Sequence, residues 1–189
     1  MIRLIIFASG SGTNAENIIR YFSKSEKCKI SYVLTNNSRA GVIDRATSLG
    51  INSRVFTRKE FYETNDIIDF LKEEADFIIL AGFLWKVPQN VLDNFPKRII
   101  NIHPALLPKF GGKGMYGMHI HRAVVDNKES ETGITIHYVN ENYDEGSIIF
   151  QKKVPLTNMD TPENVAEKIH VLEQENFPKI IEEILSKEF

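Results

Sequence analysis

The 189-residue chain has a single cysteine, Cys28. One thiol forms no intrachain disulfide and no cysteine-based metal cluster, and it suits a reducing compartment, so a cytoplasmic location is expected. Long apolar runs are missing as well. The N-terminal run Leu4–Ala8 falls short of the roughly 7–15 apolar residues of a signal-peptide core, and no stretch approaches the ~18 needed to cross a bilayer. Membrane is therefore not an expected partner. Charge of one sign is not concentrated anywhere: Lys plus Arg number 23 and Asp plus Glu 25, a net charge of −2, with basic pairs isolated at Arg58-Lys59, Lys97-Arg98 and Lys152-Lys153. Binding a phosphate backbone needs a basic patch or stripe, which excludes nucleic acid as an expected partner. A Walker loop is excluded because Gly-Lys-Ser/Thr does not occur, and the H-E-x-x-H pattern of a zinc helix is also missing.

What is present fits a globular domain. Hydrophobic residues make up 42% and charged residues 25%, and the length corresponds to one domain, 1–189, without a second catalytic domain. Apolar runs and helical periodicities alternate through the first hundred residues: RLIIFA (3–8), a helix through Ala15, Ile18, Ile19 and Phe22, KISYVL (29–34), a helix from Val42 to Leu49, SRVF (53–56), one longer helix through Phe61, Ile67, Ile68 and Leu71, FIILA (77–81), a short helical segment near Pro88, and RIINI (98–102). This alternation predicts a Rossmann-like α/β fold, a mostly parallel central sheet with helices on both faces. The texture then changes. Residues 103–118 read as a long loop, His119 to Asp126 as a short helix, and 131–139 with 147–154 as an antiparallel hairpin. Thr161-Pro162 starts a terminal helix through Val165, Ile169 and Leu172, which Pro178 is expected to bend or interrupt. The division is into a nucleotide- or phosphate-binding half, 1–102, and a half, 103–189, with the active-site loop, hairpin and C-terminal helix.

Three places could carry chemistry. Gly10-Ser11-Gly12-Thr13-Asn14 lies between the first strand and the first helix, where backbone N–H groups and the helix dipole favour phosphate; the other reading is a tight strand-to-helix turn. With Ala15 the run satisfies a dinucleotide fingerprint, so an NAD(P)-dependent reductase is a rival. Against it, Thr35-Asn36-Asn37 stand where a ribose-binding acid belongs and no Tyr-x-x-x-Lys occurs. Asn101 and His103 end the fifth strand on a shared face, an amide donor and an imidazole suited to a developing oxyanion and a proton. Asp144, in the hairpin turn before Gly146, would raise the basicity of that histidine, or is an ordinary turn aspartate. His119-x-His121 makes a poor metal pair because residues two apart on a helix face different directions, and His137 in its apolar strand reads as structural. Trp85, with Phe83 and Leu84, is either core or the wall of a pocket for a flat heterocycle.

These segments occur together in one family. FASGSGTN (7–14), ILAGFLWKVP (79–88), NIHPALLPKF (101–110), ETGITIHYVNENYDEGSII (131–149) and the acidic helix segment around Glu173 resemble the folate-dependent phosphoribosylglycinamide formyltransferase family over nearly the whole chain. The resemblance implies transfer of a formyl group from 10-formyltetrahydrofolate, as cosubstrate, to the amine of glycinamide ribonucleotide, without a metal. It implies Asn101, His103 and Asp144 as catalytic residues, with His103 protonated and held so by Asp144. It implies Gly12, Thr13, Asn14, His170 and Glu173 for the ribonucleotide. For the folate it implies Lys59, Leu84, Trp85, Lys86, Val87, Asn101 and the loop Asn140, Glu141, Asn142, Tyr143 and Asp144. A cis peptide at Leu107-Pro108 and a monomer or homodimer acting on small molecules follow from it too. Three departures stand out: Gly111–Met118 (GGKGMYGM) is long, Leu84-Trp85 replaces a familiar Met-Arg pair, and Lys59 stands where arginine is frequent. The rivals are a formyltransferase with an amino-sugar or aminoacyl-tRNA acceptor, the reductase, and a noncatalytic phosphate-binding module.

Overall fold

Leu4, Ile5 and Ile6 are consecutive and fully buried, which fits a strand covered on both faces. They form the middle of β1 (Ile2–Phe7). The computed structural model describes residues 1–189 and divides into two compact units, residues 1–100 with Phe189, and residues 101–188. In the first unit β1 is followed by α1 (Thr13–Phe22), β2 (Cys28–Thr35), α2 (Val42–Ser48), β3 (Asn52–Val55), α3 (Arg58–Tyr62), α4 (Asp66–Glu74), β4 (Phe77–Leu80) and α5 (Gln89–Asn94). β1 pairs in parallel with β2 and β4, and β2 with β3. Arg3 anchors the entry to β1: its guanidinium reaches both carboxylate oxygens of Asp76, at 2.9 and 3.1 Å, and its backbone N–H donates to the same carboxylate at 2.8 Å.

The chain crosses into the second unit within β5 (Ile99–His103). There follow α6 (Met118–Asp126), β6 (Glu131–Tyr138), β7 (Ile148–Pro155) and α7 (Pro162–Glu188). β6 and β7 are antiparallel, with a register shift between Ile136 and His137. Gly133 and Gly146 allow the close approach at the hairpin, since a Cβ on either would run into the carbonyl of Lys152 or Tyr138 respectively. The strand order is β3-β2-β1-β4-β5-β6-β7, a mixed, Rossmann-like sheet of the expected class. The Leu107-Pro108 peptide is cis. No helix is long and apolar enough to cross a membrane.

Two expectations give way. The single helix through Phe61 and Leu71 is two, α3 and α4. Thr57 and Glu60 close a capping box on the first, and Thr64 Oγ1 bonds the Asp66 carboxylate (2.7 Å) at the start of the second. The two start signals, Thr57 and Thr64, override a continuous apolar periodicity. Of the two outcomes expected at Pro178, interruption does not occur: the terminal helix runs 27 residues through it. Phe177, Pro178, Ile180, Ile181, Ile184 and Leu185 are all buried, and packing of that apolar face outweighs the single backbone donor that proline lacks.

Gly12 sits ahead of α1 with φ +79, and a Cβ there would run into the Val42 side chain and lie 2.7 Å from its Cα. Gly12→Ala is therefore expected to lower the unfolding free energy by about 1–3 kcal/mol, read from urea denaturation followed by Trp85 fluorescence. An unchanged midpoint would show that α2 tolerates a side chain at this approach.

Candidate active site

β5 carries Asn101 and His103 at its end, and Ile102 between them is buried at 5% exposure. His103 is itself only 3% exposed. Asn101 Nδ2 lies 3.1 Å from His137 Nε2, and His137 Nδ1 lies 2.8 Å from the Tyr138 carbonyl. A carbonyl only accepts, so Nδ1 of His137 carries the proton and donates it there. Nε2 is then a lone pair that accepts from the Asn101 amide. This orients Asn101 with its nitrogen toward the cluster and leaves its second N–H for another acceptor.

Asp144 occupies the turn between β6 and β7 with φ +57, a left-handed backbone that aims its carboxylate back at the same place. One oxygen, Oδ1, lies 3.5 Å from His103 Nδ1 and 3.7 Å from His137 Nε2. The other accepts from the Gly112 backbone N–H at 2.9 Å. Burial pushes the Asp144 carboxyl upward, but the neighbouring His137 and His103 rings and the Gly112 N–H outweigh it and hold the pKa below the ordinary 3.8. Asp144 is thus an ionised carboxylate placed between two imidazoles.

His103 is pulled both ways. Nε2 faces the Phe110 carbonyl at 2.8 Å and Nδ1 faces Asp144, so acceptors flank both nitrogens, an arrangement suited to the doubly protonated ring. Burial nevertheless lowers its pKa below 6.5, and the opposing pull of Asp144, the Phe110 carbonyl and Glu173 does not offset it. Asp144 thus favours the charged ring, but desolvation of that ring is the larger effect.

On α7, Glu173 Oε2 lies 3.8 Å from His170 Nδ1 and raises the pKa of that histidine. The Glu173 charge also acts on His121, whose pKa burial lowers. His121 is 6% exposed and its Nδ1 has no hydrogen-bond partner, while the His119 ring packs edge-on to Tyr116. No three His, Cys, Asp or Glu side chains are grouped to hold a metal ion.

The second unit thus brings Asn101, His103 and Asp144 together and adds His137, which the sequence pattern had assigned to structure. A histidine two residues past Thr135 near the mouth of a hairpin whose turn holds Asp144 was the available signal. Asn140 accepts from the Asn142 N–H at 3.0 Å, and Glu141, Asn142 and Tyr143 are exposed in the same turn. In the first unit, Gly12, Thr13 and Asn14 stand at the start of α1, and Glu16 in its first turn is neutralised by Arg20 and Arg45. Lys59 is exposed on α3. The Leu84 N–H donates to Ser9 Oγ at 3.0 Å, and Tyr62 Oη donates to the Lys86 carbonyl at 2.8 Å. Trp85 is half-buried, Lys86 exposed and Val87 buried. Arg58 lies 4.8 Å over the Tyr62 ring and 5.9 Å from that of Trp85.

The formyl transferase family model matches residues 2–181. Among curated relatives, the chloroplastic phosphoribosylglycinamide formyltransferase of Arabidopsis thaliana is 39% identical over 174 residues, 88% of this chain and 60% of that protein. The chain thus spans less than two thirds of that plant relative. The phosphoribosylglycinamide formyltransferase of Bacillus subtilis is 33% identical, over 98% of this chain and 95% of its own length. The crystal structure of the Bacillus halodurans phosphoribosylglycinamide formyltransferase superposes with a TM-score of 0.86 at 35% identity, covering 98% of this chain and 96% of that one.

The His103 result gives a direct test. Its imidazole is expected to titrate below 6.5, and lower still in Asp144→Asn, where the carboxylate that pulls it upward is gone; NMR of the ring Cε1–H reads both. A folded pKa below the unfolded one means that the unfolded chain takes up the proton first, so this group costs stability as pH falls below about 6.5. An upward shift in Asp144→Asn would show that the carboxylate does not act on the ring.

Proposed function

The chain belongs to the formyl transferase family, and we propose that it transfers the formyl group of 10-formyltetrahydrofolate to the amine of glycinamide ribonucleotide in purine biosynthesis. The observation that carries the reading is the cluster Asn101, His103, His137 and Asp144 on β5 and the β6–β7 hairpin. Acyl transfer of this kind needs donors aimed at a developing O⁻ and a group that can take and return a proton. The amine nitrogen bonds to the formyl carbon, the bond from that carbon to the folate nitrogen breaks, and the proton shed by the amine ends on the departing nitrogen.

In this reading the free N–H of Asn101 donates to the formyl oxygen. His103 is neutral before reaction, because burial disfavours its charge. A second anion forming beside Asp144 makes the charged ring favourable at that moment, and the proton that charges it is the one shed by the amine, passed on by Asp144 and later returned for the leaving nitrogen. Asp144, ionised at rest, takes the proton shed by the amine and gives it up to the leaving nitrogen, so it is ionised again at the end. Gly12, Thr13 and Asn14 would take the ribonucleotide phosphate at the start of α1, a role supported by the neutralisation of Glu16, whose charge would otherwise repel it. His170 and Glu173 would meet the same substrate. Lys59, Leu84, Trp85, Lys86, Val87 and the 140–144 loop would take the folate. A cytoplasmic enzyme acting on two small molecules fits the one buried cysteine, Cys28. The amino-sugar, aminoacyl-tRNA and reductase readings find no support in the relatives described above.

Formyl-folate turnover, followed by absorbance with and without glycinamide ribonucleotide, tests the reading. Turnover is expected only with the ribonucleotide, and Asn101→Ala is expected to lose about 10²–10³ in rate. Hydrolysis without ribonucleotide would assign another acceptor. Asp144→Asn is expected to lose about 10²–10⁴ in kcat while ribonucleotide affinity, measured by calorimetry, stays near that of the unaltered protein. Equal losses in binding and turnover would move Asp144 from proton transfer to substrate binding.

A further inference from the structure

Three consecutive backbone positions, Phe110 to Gly112, touch both members of the His103–Asp144 pair. The Phe110 carbonyl lies 2.8 Å from His103 Nε2, and the Gly112 N–H donates to Asp144 Oδ2 at 2.9 Å. Between them, Gly111 packs so closely that a Cβ would lie 2.7 Å from Leu107 Cδ2 and 3.3 Å from Asp144 Cβ. From this geometry we infer that Phe110–Gly112 is a positioning element for formyl transfer, acting through its backbone: the Phe110 carbonyl selects the tautomer of His103 and the Gly112 N–H sets which oxygen of Asp144 meets it. The inference rests on the formyl-transfer reading above.

A neutral imidazole carries one proton, on either nitrogen. Because the Phe110 carbonyl can only accept, it holds that proton on Nε2 and leaves Nδ1 as the nitrogen that gains and loses the second one. Nδ1 is the nitrogen turned to Asp144, 3.5 Å away. Without the carbonyl, the neutral ring gains more by placing its proton on Nδ1 toward the carboxylate, and the proton-accepting nitrogen then faces away from Asp144. The Gly112 N–H does the matching task on the other partner. It occupies Oδ2, so Oδ1 is the oxygen shared by His103 and His137.

Phe110 has φ +57, a left-handed conformation uncommon for a bulky residue, and Gly112 has φ +96. The direction of both groups therefore depends on a backbone shape that an ordinary side chain opposes. The charged and titratable groups acting on His103 are Asp144 from the hairpin turn, His137 from β6 and Glu173 from α7. None of them belongs to the 110–112 segment, so its effect is separable from theirs.

Phe110→Gly and Phe110→Val test the inference as a pair, since both delete the ring but glycine eases the left-handed backbone and the β-branched valine resists it. Two readouts are taken on the whole protein: ¹⁵N shifts of the His103 ring, which report the tautomer without turnover, and kcat with KM across pH. Expected is Nε2–H in the unaltered protein and in Phe110→Gly, with kcat retained. In Phe110→Val the tautomer shifts toward Nδ1–H and kcat falls about tenfold or more, with KM little changed. Its acidic limb moves to higher pH as Asp144 loses the Gly112 N–H. Equal behaviour of the two variants, in tautomer or in kcat, overturns the inference. If the tautomers behave as stated but the unaltered protein transfers no formyl group, the formyl-transfer reading is what fails, and the link of this segment to that reaction falls with it.

Discussion

A carboxylate taken out of water must be compensated by donors and charges, and the second unit is arranged around that requirement at Asp144. Its two oxygens are divided between the Gly112 N–H and a pair of imidazoles. Two of those partners, His137 and Gly112, and Asp144 itself depend on a local irregularity. The register shift before His137 re-aims that side chain within β6, as bulges beside functional sites do. Asp144 itself stands in a left-handed turn residue, and Gly112 needs a positive φ to present its N–H. Regular strand and turn geometry would scatter these groups; the departures from it collect them.

The electrostatics of the cluster follow from a competition between burial and charge. Asp144 remains ionised because the Gly112 N–H and the two neighbouring imidazole rings act on it together, each offsetting part of the desolvation cost. His103 has as many groups favouring its charge but lies deeper, and burial wins, so its pKa falls although a carboxylate stands beside it. In the formyl transfer proposed above, which creates negative charge, this difference would favour the transition state. A ring that is neutral at rest and flanked by two acceptors is poised to take a proton once an oxyanion appears, whereas a permanently charged ring would change little between ground state and transition state.

The first unit solves a different problem with the same economy of residues. Gly12 permits the chain to turn from β1 into α1 while lying against Val42, and the neutralisation of Glu16 by Arg20 and Arg45 keeps the helix start from carrying a net negative charge. Phe83 and Trp85 of the 82–87 segment pack edge to face and at a tilt on Phe7, Phe56 and Phe61. This packing gives that irregular stretch a fixed base without secondary structure of its own.

Strand and helix positions were legible in the amino-acid order because they rest on local periodicity, on caps and on glycine, all of which act within a few residues. Asn101 and His103 belonged to that legible part, since two residues apart on one strand share a face whatever else surrounds them. Even there, the apolar periodicity of residues 61–71 concealed a break between α3 and α4, and Pro178 proved compatible with α7, because capping and packing outrank periodicity and propensity. What only the tertiary structure decided are the pairings between distant positions: Asn101 with His137, 36 residues apart, and Gly112 with Asp144, 32 apart. The second of these uses a backbone N–H, which every residue but proline possesses and which leaves no mark in the sequence. The proton state of His103 belongs to the same class, because burial is a property of everything folded around a side chain and not of the residue that carries it.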